Sequence, residues 1–369
     1  RPRMLLAQGL KSADATVSGR LGENALASGL LVGAVCLLAL ARLLLATTAE
    51  LAPDEAYYWL WSRHLDIGYY DHPPMIAYWI RLGTALFGDT AFGVRFAELV
   101  AALLGSYLIY RTSLCLFGDI GGALLSVVWL NATLLFNAAA ILATPDTPLA
   151  LFATAALFSL AKLIETERGW WWIAAGAALG AAFASKYTAV LLLPGLLIWI
   201  VALPQTRRWL LRPHPYLGAM IALAIVAPVI FWNANHGWAS FAKQAAHGIK
   251  DKPRSALLSV LELVAGQAGL ASPLIFGFCL FGSGYCLVRG YRRSDARLLL
   301  LGTSTAPVFA FFLVHAASEK IQANWPGFVY PAAILAAVHG FLSFRREARA
   351  PRWTRLAFSF APWLGVAFT

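Results

Sequence analysis

Charge is what this chain lacks most. Only 13% of its 369 residues are Asp, Glu, Lys or Arg, roughly half the share usual in a soluble domain. Cysteine is scarce too. Cys36, Cys115, Cys279 and Cys286 all fall in apolar segments, without metal-ligand spacing, which argues against a disulfide framework. There is no Gly-rich phosphate loop and no His/Cys metal pattern, so a nucleotide fold has nothing to rest on. Strict apolar/polar alternation is missing as well, which excludes a membrane β-barrel. What is abundant is hydrophobicity, at 60% of residues and a mean hydropathy of +0.67. The apolar runs are continuous, so the chain reads as a polytopic α-helical membrane protein. Its net charge of +11 is read as loop charge on the cytoplasmic side, not as a nucleic-acid footprint.

The runs predict eleven spans: 26–48, 92–110, 121–143, 149–164, 170–184, 190–203, 216–232, 273–287, 298–315, 326–344 and one starting near Leu356. Residues 1–25 form a polar, basic tail, and 26–369 a single transmembrane domain. The run 26–48 is too long for a signal peptide and is read as a retained first span. The sequence opens on Arg1 and closes inside an apolar run, so a fragment, truncated at the C-terminus, is expected. Segments 76–87 and 257–269 are too short or too amphipathic to cross and are read as interfacial. The stretch 233–255 is read as a loop. With the tail inside, 19 of the 29 Lys and Arg residues fall on the cytoplasmic side and 9 on the other. All informative polar clusters then share the outer face: Pro-Asp-Glu at 53–55, Tyr-Tyr-Asp-His-Pro-Pro at 69–74, Thr-Pro-Asp-Thr-Pro at 144–148, Ser-Lys-Tyr-Thr at 185–188, 233–238 and 318–325.

Residues 53–74 hold the densest mix of carboxylates, aromatics and cations, and read as a short surface helix closed by a rigid turn at Pro73-Pro74. Asp54 and Glu55 stand where a chain leaving the bilayer meets water. Helix capping accounts for such a pair; so does a carboxylate placed to take a proton from a hydroxyl nucleophile. Asp146 carries the same two readings, as a turn residue or as a second carboxylate of one site. Lys186 and Lys320 at span ends either snorkel or neutralise a phosphate leaving group. Asp71-His72 is the one pair to test as a divalent-metal site, and His236 is a further donor on that face. Trp232, Trp238, Trp325 and Tyr330 suit an interfacial belt or stacking on a sugar ring.

Taken in order, PDEAYYWLWS, GYYDHPPMIAY, TPDTPLALF and a basic residue before Asn324-Trp325 resemble the membrane-embedded GT-C glycosyltransferases. The likeness is to the branch holding protein O-mannosyltransferases, lipid A aminoarabinose transferases and bacterial family 39-like enzymes. It covers about residues 26–344. The resemblance implies a bundle of about eleven or more helices with interfacial helices in the first outer loop. It implies an inverting transfer of a hexosyl or pentosyl group from a polyprenyl-phosphate donor to a lipid, glycan or protein acceptor. The setting would be the outer face of a bacterial inner membrane, with no nucleic-acid partner. Asp54 matches the family's catalytic loop-one aspartate, Glu55 its acidic neighbour and Asp146 its second-loop aspartate. Donor phosphate would fall to Lys320, Lys186 and His72, the last standing with Asp71 where the aminoarabinose transferases carry Glu-Lys. Acceptor or sugar contacts would fall to Tyr57, Tyr70, Asp71, His236, Asn324 and Trp325. No cofactor is certain, and a divalent metal ion is left open. A transporter or lipid-linked-sugar flippase is the alternative, disfavoured because its polar groups belong near the midplane of broken, repeated helices.

Overall fold

The computed structural model describes residues 33, 36–250, 255–347 and 350–369, without the side chains of 246–250. The expected tail, 1–25, and the first part of the expected first span lie outside the described residues. Two units divide the chain, Arg1–Ala41 and Arg42–Thr369; the account below is of the second.

All regular elements among the described residues are helical, as the continuous apolar runs predict. Helix α1 (Cys36–Thr48) ends in a 77° bend before α2 (Pro53–Arg63). Then come α3 (Met75–Phe87), α4 (Ala91–Phe117), α5 (Ile120–Asn131), α6 (Leu134–Ala139), α7 (Asp146–Thr166), α8 (Trp171–Ser185) and α9 (Leu192–Ala202). A 106° bend leads into the short segment opened by α10 (Pro204–Arg207). The chain continues through α11 (His214–Asn235), α12 (Ala239–Lys250), α13 (Ala256–Ala271), α14 (Pro273–Arg292), α15 (Ala296–Ala316), α16 (Tyr330–Glu347) and α17 (Arg352–Phe368). Six of the described helices are long and apolar enough to cross a membrane, or up to eight if each bent pair is one span. The segments expected at the interface form the short helices α2, α3 and α13.

Local chemistry sets the boundaries. Thr90 accepts from the Gly93 amide to open α4, and Gly118 closes it at φ 64°. The expected third span is broken: Thr133 caps a new helix by accepting from Phe136, splitting the run into α5 and α6. The expected loop 233–255 is also corrected. Gly237 and Trp238 turn the chain at φ 61° and 58°, and α12 follows as an amphipathic helix.

Packing places α16 at the centre and α11 at the rim. The apolar window of α16 is 78% buried, that of α11 17%. Where α8 meets α11, a Cβ on Gly176 would lie 2.0 Å from the Gly218 carbonyl oxygen, so only glycine permits the approach. The pairing of α7 with α8 matters most for the site. Lys186, just beyond α8, reaches Asp146 at the start of α7. Although α8 has only 15 residues, it therefore returns the chain to the level from which α7 departed.

Candidate active site

At that level a cavity of about 310 Å³ opens between the start of α2, the α6–α7 connection and the segment before α16. Asp54, Thr133, Thr144, Asp146, Gln322 and Asn324 supply its polar lining, over Leu130, Leu135, Phe136, Leu142 and Leu270. A polar rim above an apolar floor suits a ligand with a sugar or phosphate head and a hydrocarbon tail.

The two adjacent carboxylates of α2 divide the work that the sequence left open. Glu55, at the third helical position, accepts from the Ala52 amide at 2.9 Å and is the residue that caps. It is fully buried and holds Arg95 of α4 through two bonds of 2.8 and 2.6 Å. Its Oε1 also accepts from the Ala143 amide at 3.0 Å. Arg95 in turn donates to the carbonyls of Ala46, Ala49 and Glu50. One buried pair thus stitches the end of α1, the start of α2, α4 and the turn leading to Asp146. Burial alone would raise the Glu55 carboxyl, but the bonds from Arg95, Ala143 and Ala52 outweigh it and hold the group below its usual value. Glu55 is among the residues expected to be catalytic; its oxygens are spent on this scaffold and do not line the cavity.

Asp54 is free of such duties. Its carboxylate lines the cavity with no hydrogen bond or ion pair among the described residues. Asp146 is anchored, accepting from Lys186 Nζ at 2.7 Å and from Asn324 Nδ2 at 3.0 Å. Both carboxylates act on Tyr58, whose phenol is pushed well above its usual value by burial and then by the charges of Asp54 and Asp146. Trp325 donates to Gln322, another lining residue, at 3.2 Å.

A second cluster sits on the loop after α2. Asp71 accepts from the Tyr57 hydroxyl at 2.6 Å and from Lys243 of α12, and its carbonyl accepts from Gln244 at 2.8 Å. The Lys243 ammonium also lies 4.6 Å from the Tyr70 ring centre. With an ammonium already on the Asp71 carboxylate, the Asp71-His72 pair does not fit a metal site. No group of three or more His, Cys, Asp or Glu residues comes together among the described residues. His72 packs toward the Tyr58 ring, 6.2 Å between centres. His236 stacks on Trp232 at 4.0 Å, and Trp232 donates to Asp66. Lys320 is exposed and does not line the cavity.

The site thus gathers Asp54, Asp146, Lys186 and Asn324, with Trp325 behind Gln322. Arg95 and Lys243 were missed as site residues. Arg95 had a signal, a cation beside Glu98 inside an apolar helix; Lys243 had none beyond lying in a polar stretch.

Comparison with known proteins bears out the resemblance. Residues 71–232 match the family described as dolichyl-phosphate-mannose-protein mannosyltransferase. A lipid A galacturonosyltransferase of Rhizobium johnstonii is 30% identical over 298 residues, 77% of this chain and 59% of that protein. An undecaprenyl phosphate-α-4-amino-4-deoxy-L-arabinose arabinosyl transferase of Pectobacterium atrosepticum is 31% identical over 194 residues, 48% of this chain and 35% of that protein. The crystal structure of ArnT from Cupriavidus metallidurans bound to undecaprenyl phosphate superposes with a TM-score of 0.67 at 20% identity, covering 92% of this chain and 69% of that one. The chain therefore has the ArnT-like fold and spans only part of the length of the relatives it matches.

Proposed function

We propose that this protein is an inverting glycosyltransferase that moves a hexosyl or pentosyl group from a polyprenyl-phosphate donor to a lipid, glycan or protein acceptor. The observation that carries the reading is the pair of carboxylates lining one cavity, one unspent and one anchored. The acceptor hydroxyl attacks the anomeric carbon from the face opposite the phosphate. Asp54 takes its proton, and the bonding pair of the donor C–O bond leaves with the polyprenyl phosphate. Asp146, held by Lys186 and Asn324, orients the acceptor, and Glu55 acts as a positioning residue beneath both aspartates. Lys186 lends positive charge to the rim through Asp146. Lys320 and His72 remain the proposed contacts of the leaving phosphate, and Tyr57, Tyr70, Asp71, His236, Asn324 and Trp325 those of the sugar or acceptor. An acceptor that is already an anion needs no base; Asp54 would then orient it.

The proposal sets the site on the periplasmic face of a bacterial inner membrane. It also keeps the eleven-crossing path, with α1, the α5–α6 pair, α8, α9 and α17 crossing alongside the six long ones. A lipid A-type glycolipid is the first acceptor to test, because the Rhizobium relative carries that acceptor in its name.

The deciding experiment is transfer of lipid-linked sugar in membranes, with the product glycan identified by mass spectrometry. Asp54→Asn keeps the shape and removes the base, so transfer to a hydroxyl acceptor should fall by about 10²–10⁴-fold at unchanged expression. Normal transfer by that variant would remove Asp54 as the base and leave Asp146 as the remaining carboxylate.

A further inference from the structure

The end of α7 opposite Asp146 carries a second polar cavity, which the transfer reaction does not use. It measures about 280 Å³ and is lined by Glu167, Gly169, Arg208, Trp209, Arg212 and His214. With α7 21 residues long, it lies about 30 Å from the carboxylate site at 1.5 Å per residue. Three chain turns build it: the left-handed Glu167 that closes α7 at φ 52°, the bent segment after α9, and the first residue of α11. Gly169 is required there, since a Cβ would stand 2.5 Å from His214 Cγ.

We propose that this cleft binds the headgroup phosphate of an anionic phospholipid. Arg208 donates to Glu167 at 2.5 Å and lies over the Trp209 ring, 5.9 Å from its centre, so it is part-spent. Arg212 makes no side-chain hydrogen bond or ion pair among the described residues, and the one acid lining the cleft, Glu167, is already engaged by Arg208. His214 Nδ1 is buried without a hydrogen-bond partner among the described residues, which leaves a donor or acceptor unsatisfied at the cavity wall. A tetrahedral anion in the cleft completes the Arg212 guanidinium. The source is the bilayer rather than solution. The segment Pro204–Leu211 is the second half of an apolar helix pair bent by 106°, and Leu211 and Tyr216 flank the cations at 89% and 56% exposed, as side chains that reach acyl chains do. The arginine bias reads this end as cytoplasmic, where anionic headgroups draw juxtamembrane cations. The volume lies just under the ~300 Å³ at which drug-sized pockets begin, which suits a headgroup alone.

The test uses the purified full chain, delipidated in detergent and titrated by native mass spectrometry with phosphatidylglycerol or phosphatidylcholine. Phosphatidylglycerol should bind more tightly. Arg212→Gln should weaken it about five-fold, the effect of one cation near a lipid surface. Glu167→Gln removes the only acid in the cleft and frees Arg208, so it should bind phosphatidylglycerol more tightly than wild type, an increase that misfolding does not produce. Equal binding of the two lipids, or no change in either variant, overturns the proposal. Displacement of phosphatidylglycerol by an equal concentration of inorganic phosphate would overturn the lipid assignment in favour of a soluble anion.

Discussion

Two neighbouring carboxylates with opposite environments explain the site at the scale of single residues. Glu55 is buried and fully bonded, whereas Asp54 has its oxygens open to a cavity. Removing one partner of a buried ion pair strands the other, which costs about 3–5 kcal/mol. Arg95→Ala should therefore lower the thermal stability of the purified protein sharply, and more than Asp54→Asn does. Glu55→Gln tests the charge with the shape retained. Because the folded Glu55 carboxyl sits below its usual value, its contribution is present above about pH 4.3 and is lost as pH falls through the folded value. The deficit of Glu55→Gln in thermal unfolding should be full at pH 7 and shrink below about pH 4.3. A deficit independent of pH would mean that packing, not charge, sets it. Lys320 offers a different comparison. If its exposed cation serves the leaving phosphate, Lys320→Ala should impair use of the lipid donor far more than Lys320→Arg; equal and mild losses would leave it as a snorkelling side chain.

Helices are held together here by contacts that a single substitution can separate. Gly176 and Gly218 let α8 and α11 touch backbone to backbone. Gly176→Ala would place a methyl 2.0 Å from the Gly218 carbonyl oxygen and should destabilise by about 1–3 kcal/mol through overpacking. Gly277→Ala, with nothing within 4 Å of its added Cβ, is the matched control and should unfold like wild type; equal melting of both would deny the close approach. The helices themselves were largely legible in the sequence, because apolar length and turn residues are local signals. Asp146 and Asp54 were legible for the same reason, each standing at a helix start after a proline. The break at Thr133 was missed because its capping hydroxyl sits inside an apolar run. Helix α12 lies in a stretch that reads as a loop because it is polar and lacks the length of a span. The pairings Glu55–Arg95 and Asp71–Lys243 join residues 40 and 172 positions apart, and no local pattern encodes a partner at that distance.

At the scale of the whole molecule, the carboxylate cavity and the basic cleft lie at opposite ends of α7, and that polarity can be tested as topology. The arginines of the α9–α11 and α14–α15 connections and of the α16 end share the cleft's side in the chain path, while Asp54, Asp146 and Lys186 share the other. A site on the cytoplasmic side would meet water-soluble donors; a site on the far side must draw its sugar from a lipid already carried across. Sidedness therefore bears on the donor class as directly as an activity assay does. Ser318 and Arg292 are both exposed, and neither forms a salt bridge among the described residues. In a variant without the four native cysteines, Ser318→Cys should react with an impermeant thiol reagent added to intact cells. Arg292→Cys should react only after the membrane is opened. The reverse pattern would place the carboxylates in the cytoplasm and remove the argument for a lipid-linked donor. Reaction of both from outside would contradict the crossing of α15 between them.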